Sequence, residues 1–93
     1  MTDTPPLDFK KVEALRRHML LTTSNMAELF KVSRMTYYGW VKGNKIRKNN
    51  DKKVRGVLKS LLAIMTEGYP QPDVIAMEQK HRFKRLLELL ENL

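Results

Sequence analysis

The stretch from Leu21 to Gly43 places capping, small and apolar residues where two short, crossed helices need them. Thr22 offers a hydroxyl to the free backbone donors of a first helical turn, so it is the predicted N-cap of one helix. Ser33 is the predicted N-cap of a second helix for the same reason. Gly43 ends that second helix, because glycine adopts the left-handed conformation at little cost. The sequence therefore predicts two short helices joined by a tight turn.

Each of these helices has one face that is predicted to be buried. Met26 and Phe30 share the inward face of the first helix, and Tyr37, Trp40 and Val41 supply the inward face of the second. The opposite face of the second helix stays free, which is the arrangement that a helix-turn-helix uses to grip DNA. The residues left free are Ser33, Arg34, Met35, Thr36, Tyr38, Gly39 and Lys42.

The segment from Val32 to Gly43 resembles the turn and recognition helix of the Xre/Cro/phage-repressor family of small DNA-binding transcriptional regulators. Upstream, Leu15 and Arg16 match a pair that this family carries near the end of its first helix. The resemblance extends roughly from residue 8 to residue 65 and is specific in spacing rather than in any single residue. It implies an all-α fold, which we predict to be a five-helix bundle with a lambda-repressor-like helix-turn-helix.

Two positions depart from the family pattern. Lys31 stands at the turn position that is usually glycine, so a residue with a side chain must adopt a mildly strained conformation there. Val41 stands where relatives often carry a glutamate, which removes the acidic partner that Arg16 often has. Arg16 is then expected to pair with Glu28, to face solvent or to contact a phosphate.

Positive charge is concentrated on this motif. The 93-residue chain has a formal net charge of +8. Residues 23–48 carry six basic side chains and one acidic side chain, whereas residues 68–93 carry four of each. Net charge alone is common among unrelated proteins, but charge placed on a DNA-binding motif favours a polyanionic partner.

The free face of the second helix supplies the predicted base contacts. Arg34 is suited to a bidentate contact with guanine, and Thr36 to a thymine methyl group or to hydrogen bonds. Tyr38 can reach either a base edge or a phosphate, and Met35 completes the predicted base-contacting set. Gly39 is unusual in the middle of a helix, where it either permits close approach to DNA or is merely tolerated.

The loop after the second helix is predicted to follow the sugar-phosphate backbone. Ile46 is expected to turn inward as an anchor, which leaves Lys45 and Arg47 outside. A solvated basic loop without a ligand is the alternative. Each phosphate contact releases counterions, so affinity is expected to fall steeply with salt. The predicted phosphate contacts are Thr23, Ser24, Ser33, Lys42, Lys45, Arg47 and Lys48.

Two longer helices are predicted to support the motif. One runs from about Asp8, its cap, to Met19. The other begins after a cap cluster at residues 49–51 and is stopped by Gly68. Its apolar residues recur at spacings of three and four, which predicts one inward face. These residues are Val54, Val57, Leu58, Leu61, Leu62 and Met65.

Residues 69–93 are predicted to form a separate dimerisation element beside a DNA-binding domain at residues 1–68. Two prolines after Gly68 interrupt the helical pattern, and Asp73 is the predicted cap of a single final helix. Its apolar stripe is too broad to leave in water. Folding back onto the domain core is the alternative to self-association. The predicted dimerisation residues are Phe83, Leu86, Leu87 and Leu90.

Nothing in the sequence favours catalysis or a cofactor. The chain has no cysteine, which removes thiolate metal sites and thiol chemistry. His18 and His81 are far apart and lack carboxylates at ligand spacing. We therefore expect no enzyme activity, metal, cofactor or small-molecule ligand. The absence of a long apolar run or a leader predicts a soluble cytoplasmic protein that does not contact a membrane.

The functional prediction is a homodimer that binds an inverted-repeat operator in double-stranded DNA and represses transcription, autoregulation included. The resemblance extends to compact regulators of phages and other mobile elements, among them those that control anti-CRISPR operons. Two alternatives stay open. One is the small terminase subunit of a phage, which forms rings for DNA packaging, and the other is an antitoxin-like module whose final helix grips a protein partner.

Overall fold

The computed structural model describes residues 5–93, which contain six helices and no strand. The prediction of an all-α chain is confirmed. The helices are α1 (Phe9–His18), α2 (Thr23–Phe30), α3 (Arg34–Val41), α4 (Lys48–Thr66), α5 (Pro72–Ile75) and α6 (Gln79–Glu91). Within the described residues, no helix combines the length and the apolar character that crossing a membrane requires.

Side-chain caps set the starts of the first three helices where the sequence predicts them. Asp8 caps α1 by accepting a hydrogen bond from the backbone N–H of Lys10 at 3.0 Å. At the start of α2, the Thr22 hydroxyl accepts from the N–H of Asn25, and the Asn25 amide oxygen accepts from the N–H of Thr22, both at 3.0 Å. The Ser33 hydroxyl caps α3. These reciprocal bonds satisfy donors that helix starts leave free.

The turn between α2 and α3 is closed by a left-handed residue, as expected. Lys31 has φ 57° and ψ 46°, and the N–H of Val32 donates to the carbonyl of Ala27 at 3.0 Å. That hydrogen bond satisfies a terminal carbonyl of α2 and offsets the cost of the left-handed conformation for a residue with a side chain. Gly43, with φ 108°, ends α3 as predicted.

The start of α4 differs from the prediction. Its N-cap is Arg47, so the predicted cap cluster at residues 49–51 lies inside the first turn. Asp51 bonds to Arg55 at 2.6 Å rather than capping the helix. An acidic side chain is favourable anywhere in the first helical turn, because the free N–H groups carry partial positive charge there. The cap prediction was therefore wrong by one turn.

Fifteen buried apolar residues form one core cluster. Its centre is aromatic: Phe30 packs against Tyr37 and Trp40 with ring centroids 6.0 and 6.4 Å apart. Two residues that were predicted to face inward do not. Val41 is 37% exposed because the chain turns away at the end of α3, and Leu62 is 47% exposed because Leu61 and Ile64 take the inward positions of that turn of α4.

The final segment forms two helices rather than one, which corrects the five-helix prediction. The helical path breaks at residues 76–78, between α5 and α6. Arg82, from the first half of α6, donates to the carbonyls of Val74 at 3.2 Å and Met77 at 2.7 Å. These bonds tie the first half of α6 to the end of α5 and to the turn that follows it. Asp73 lies in the first turn of α5, whose N-cap is Gln71 without a side-chain cap.

Two of the four predicted dimerisation residues lie in the core of the chain itself. Phe83 and Leu86 of α6 are buried in the same cluster as residues of α1 to α4. This agrees with the alternative in which the final helix folds back onto the core. Leu87 and Leu90 are partly buried against that cluster. Self-association through α6 stays a prediction, but Phe83 and Leu86 are not available to it without opening the core.

Candidate nucleic-acid interface

The outer face of α3 is exposed from Arg34 to Thr36 and at Tyr38. Arg34, Thr36 and Tyr38 are exposed, and Met35 is 84% exposed, which is unusual for so large an apolar side chain. The capping bond at Ser33 and the buried residues on the opposite face hold the helix in place. The structure therefore brings all four predicted base-contacting residues onto one surface.

The hydroxyl of Ser33 is already occupied by α3. It accepts from the N–H of Thr36 at 3.0 Å and donates to the Thr36 hydroxyl oxygen at 2.9 Å. The hydrogen of the Thr36 hydroxyl is consequently free to donate outward. Ser33 would have to rotate its hydroxyl away from Thr36 to donate to a phosphate, so Thr36 is the better donor of the two.

Tyr38 reaches across to the start of α2. Its phenolic oxygen lies 2.9 Å from the hydroxyl oxygen of Thr23, so the two share one hydrogen bond on the surface. One of the two hydroxyl hydrogens is left to donate to a ligand. Thr23 and the exposed Ser24 lie in the first turn of α2, where free backbone N–H groups favour an anion. Because the Tyr38 hydroxyl lies beside this turn, its position favours a phosphate contact over a contact with a base edge.

A polar groove of about 380 Å³ runs between α3 and the loop at residues 42–48. Thr36 and Gly39 line it on the helix side, and Asn44, Lys45 and Arg47 line it on the loop side. Ile46 is half-buried and packs against the core, which confirms the predicted anchor. Lys42, Lys45, Arg47 and Lys48 are all exposed, as predicted for phosphate contacts.

Gly39 has a structural role that the sequence alone does not show. The N–H of Asn44 donates to the carbonyl of Gly39 at 2.8 Å, so the loop lies directly against α3. A Cβ atom at position 39 would lie 2.7 Å from the Asn44 amide nitrogen, which is closer than packing allows. Glycine therefore leaves room for the side-chain amide of Asn44 against α3.

The charge around this groove has one sign. Residues 29–50 carry six basic side chains and no carboxylate: Lys31, Arg34, Lys42, Lys45, Arg47 and Lys48. None of these is in an ion pair, since the two ion pairs in residues 5–93 are Glu13–Arg16 and Asp51–Arg55. Unpaired cations on an open surface attract a polyanion.

A hydrogen-bonded network on α1 fixes the position of α3. Arg16 bonds to Glu13 at 2.8 Å and donates to the carbonyl of Leu21 at 3.0 Å, and the buried Tyr37 donates its hydroxyl to Glu13. None of the three outcomes expected for Arg16 is correct, because its partner is Glu13 on the same helix. The network joins α1 to α3 and to the residue just before the cap of α2.

The network also sets the protonation states of its members. Burial alone raises the pKa of the Glu13 carboxyl, but the hydrogen bonds from Arg16 and Tyr37 and the nearby guanidinium charges outweigh burial and hold the pKa below 4.5. Burial and the bond to Glu13 raise the pKa of the Tyr37 phenol above 10.0. At neutral pH the network is therefore an ionised pair with a neutral phenol as a third partner.

A second network ties α6 to the start of α2. The side-chain amide of Gln79 donates to the carbonyl of Leu20 at 3.1 Å and to the amide oxygen of Asn25 at 2.8 Å. Asn25 is the residue that completes the capping box of α2 with Thr22. Arg82 donates to the other end of the Gln79 side chain at 3.0 Å. Sequence reasoning missed this network, since nothing local links residues that are 54 positions apart.

Neither histidine is among the residues predicted for this surface. His18 ends α1 and His81 stands in the first turn of α6, and both are exposed. Across residues 5–93, no group of three or more histidine and carboxylate side chains is placed to hold a metal ion.

No family model, no curated protein and no solved structure matches this chain. The family resemblance of the residues around the turn stays a prediction, and a functional conclusion has to rest on the geometry and the charges of the chain itself.

Proposed function

We propose that this chain is a sequence-specific double-stranded DNA-binding regulator of transcription. In this proposal α2, the turn at Lys31 and α3 form a helix-turn-helix of the Xre/Cro kind, and α3 lies in the major groove. The observation that carries the proposal is the exposed face of α3, with Arg34, beside a loop that holds four further unpaired cations. These are Lys42, Lys45, Arg47 and Lys48, and no carboxylate lies between residues 29 and 50. A ligand for this surface must be a polyanion, to pair with the cations, and must have a groove wide enough for a helix. B-DNA has both properties, because its major groove admits an α-helix.

Base reading falls to three residues of α3. Arg34, at the first position of the helix, is placed for a bidentate contact with guanine. Thr36 supplies a methyl group and the free hydroxyl hydrogen described above. Met35 offers the exposed apolar surface that suits a thymine methyl group.

Backbone contacts flank these residues on both sides. On one side lie Lys42, Lys45, Arg47 and Lys48 of the loop and the start of α4. On the other side lie the first turn of α2, with Thr23 and Ser24, and the Tyr38 hydroxyl bonded to Thr23. Such contacts on either side of a reading helix set its register on the duplex without carrying sequence information.

Packing of the aromatic residues favours duplex over single-stranded nucleic acid. Tyr37 and Trp40 are buried, and they pack on Phe30 and Phe9 instead of presenting their faces to solvent. Binding of single strands depends on exposed rings on which bases stack. Tyr38 is the one tyrosine on the proposed surface, and its hydroxyl is held by Thr23.

We propose that the protein acts as a homodimer on an inverted repeat and represses by occupying promoter DNA. The argument is one of symmetry, since one α3 reads only a few base pairs and a two-fold dimer doubles the site. If α6 supplies the interface, Leu87, Leu90 and the exposed Leu93 form it rather than Phe83 and Leu86, which are buried. The same burial weakens the antitoxin-like alternative, which needs the whole apolar stripe of the last helix on the surface.

The experiment is selection from a random-sequence duplex library followed by fluorescence anisotropy of the purified chain. The proposal predicts a selected sequence with inverted symmetry that binds at least about a thousandfold more tightly than its shuffled counterpart. Equal and salt-sensitive binding to both duplexes would contradict a sequence-specific regulator. Ring-sized assemblies by light scattering would instead support the small terminase alternative.

A further inference from the structure

The first half of α6 carries more positive charge than the hydrogen bonds of the fold account for. Residues 79–85 contain Lys80, Arg82, Lys84 and Arg85 and no acidic residue. Arg82 is accounted for, because it donates to carbonyls around the end of α5. Lys80 and Lys84 are exposed, and neither is in an ion pair with a carboxylate of residues 5–93.

Lys80, in the first turn of α6, is placed where a cation costs stability. The N-terminal end of a helix carries partial positive charge, so cations near it are unfavourable. Like charges four residues apart on a helix also repel. The first turn of α6 contains no acidic residue, and Glu78 at its N-cap makes no side-chain capping bond. A local electrostatic cost without a structural gain is typical of a functional surface.

The hydrogen bonds of Gln79 place this charge beside the proposed DNA interface. Gln79, the first residue of α6, bonds to Asn25 in the first turn of α2. Thr23 in that same turn bonds to Tyr38 of α3. The order across the surface is therefore α3, the first turn of α2, and then the start of α6. Lys80 follows Gln79 directly, so its backbone lies about 4 Å further along.

Lys80 and Lys84 share one flank of α6, because they are four residues apart. Arg82 marks the other flank, which faces α5. The lysine flank is therefore not the flank that faces α5.

We propose that the first half of α6 is a second backbone-binding element, in which Lys80 and Lys84 contact phosphates that flank the base pairs read by α3. This inference rests on the proposed function, and it extends the interface from residues 23–48 into the C-terminal segment. The Gln79–Asn25 bond fixes the element relative to α2, so its contacts have a defined register on the duplex.

The test is a salt titration of DNA affinity by fluorescence anisotropy with the full chain and its selected duplex. The variant is Lys80→Gln with Lys84→Gln. The matched control is Lys11→Gln with Lys59→Gln, which removes the same charge from exposed positions on α1 and α4. Each lost phosphate contact lowers the steepness of the log–log salt dependence by roughly 0.9. The variant is expected to lose about 1.8 in slope per bound protomer, and the control is expected to match the wild type.

A slope difference of about 1.8 per protomer means that the ratio of wild-type affinity to variant affinity falls about tenfold between 50 and 200 mM salt. Shortening the duplex to the base pairs under α3 is expected to abolish the difference between wild type and variant. The variant is expected to melt at or above the wild-type temperature, because it removes cations from a helix N-terminus.

Three results would overturn the inference. An unchanged slope for the α6 variant would make Lys80 and Lys84 a solvated surface. An equal loss in the control variant would reduce the effect to net charge. If the wild type binds no duplex at all, the proposed function itself fails. That outcome differs from one in which the wild type binds and the α6 variant binds with the same affinity and salt dependence, which removes only the α6 contacts.

Discussion

Replacement of Tyr37 by phenylalanine tests whether the network on α1 holds α3 in place. The ring is fully buried and packs on Phe9 and Phe30, and phenylalanine keeps that packing. What is lost is one hydrogen bond to an ionised carboxylate, which contributes about 1.5–3 kcal/mol to stability. Glu13 keeps its bond to Arg16 at 2.8 Å, so it is not left as an unpaired charge. We therefore expect a loss near the lower end, about 1.5–2 kcal/mol.

The assay is urea unfolding followed by circular dichroism, with the slope of free energy against urea held common to all variants. The neighbouring Tyr38→Phe is the matched control, because it removes an exposed hydroxyl from the same helix and should cost less than about 0.5 kcal/mol. In a chain of this size, the loss expected for Tyr37→Phe corresponds to a fall in Tm of about 6–16 °C. Equal stabilities for Tyr37→Phe and Tyr38→Phe would refute a supporting role for the network.

Further predictions concern two glycines and the pH dependence of stability. Gly56 lies exposed in α4 with open space around it, so Gly56→Ala is expected to stabilise the fold by about 0.5–1 kcal/mol in urea unfolding. Gly43 has φ 108°, so Gly43→Ala is expected to destabilise the fold by at least about 1 kcal/mol. Stability changes of the same sign for the two variants would contradict this backbone argument. Because the folded pKa of Glu13 lies below 4.5, its network stabilises the fold above that pH and loses this contribution as the pH falls through the folded pKa. Glu13→Gln should therefore be less stable than the wild type at pH 7, and the difference in free energy of unfolding should narrow below pH 4.5. A difference that stays constant as the pH falls would show that ionised Glu13 does not stabilise the fold.

The features that sequence predicts well are those that a few neighbouring residues determine. Thr22 and Ser33 cap their helices through donors only three positions away. Gly43 and Lys31 end α3 and α2 in the left-handed conformation as expected. Tyr37 and Trp40 of α3 also fall inside as predicted, since helical spacing alone assigns them to one face.

The features that sequence reasoning missed depend on contacts between distant residues. Tyr37 meets Glu13 across 24 positions, and no local pattern predicts that contact. The pairing of Arg16 with Glu13 is local, and it was missed because the family resemblance suggested other partners. The break between α5 and α6 is another case, because Arg82 of α6 donates back to a carbonyl of α5. Apolar periodicity continued through this region and hid the break.

The exposed residues of the candidate surface could be predicted from the sequence, but the contacts between its elements could not. Exposure of Arg34 and of the basic loop follows from helical spacing and composition. The pairing of Tyr38 with Thr23 does not, because it requires the relative position of α2 and α3. The role of Gly39 was also hidden, since it depends on how the loop at Asn44 folds back onto the helix.

The central claim is that the outer face of α3 reads base sequence, and Arg34→Ala compared with Lys45→Ala tests it most directly. Anisotropy is measured for both variants on the selected duplex and on its shuffled counterpart. Arg34→Ala is expected to lose about 1–3 kcal/mol more on the selected duplex than on the shuffled one, because a bidentate base contact is specific. Lys45→Ala is expected to lose equally on both and to lower the salt slope by roughly 0.9. Equal losses for Arg34→Ala on the two duplexes, or a wild type that does not distinguish them, would contradict the claim.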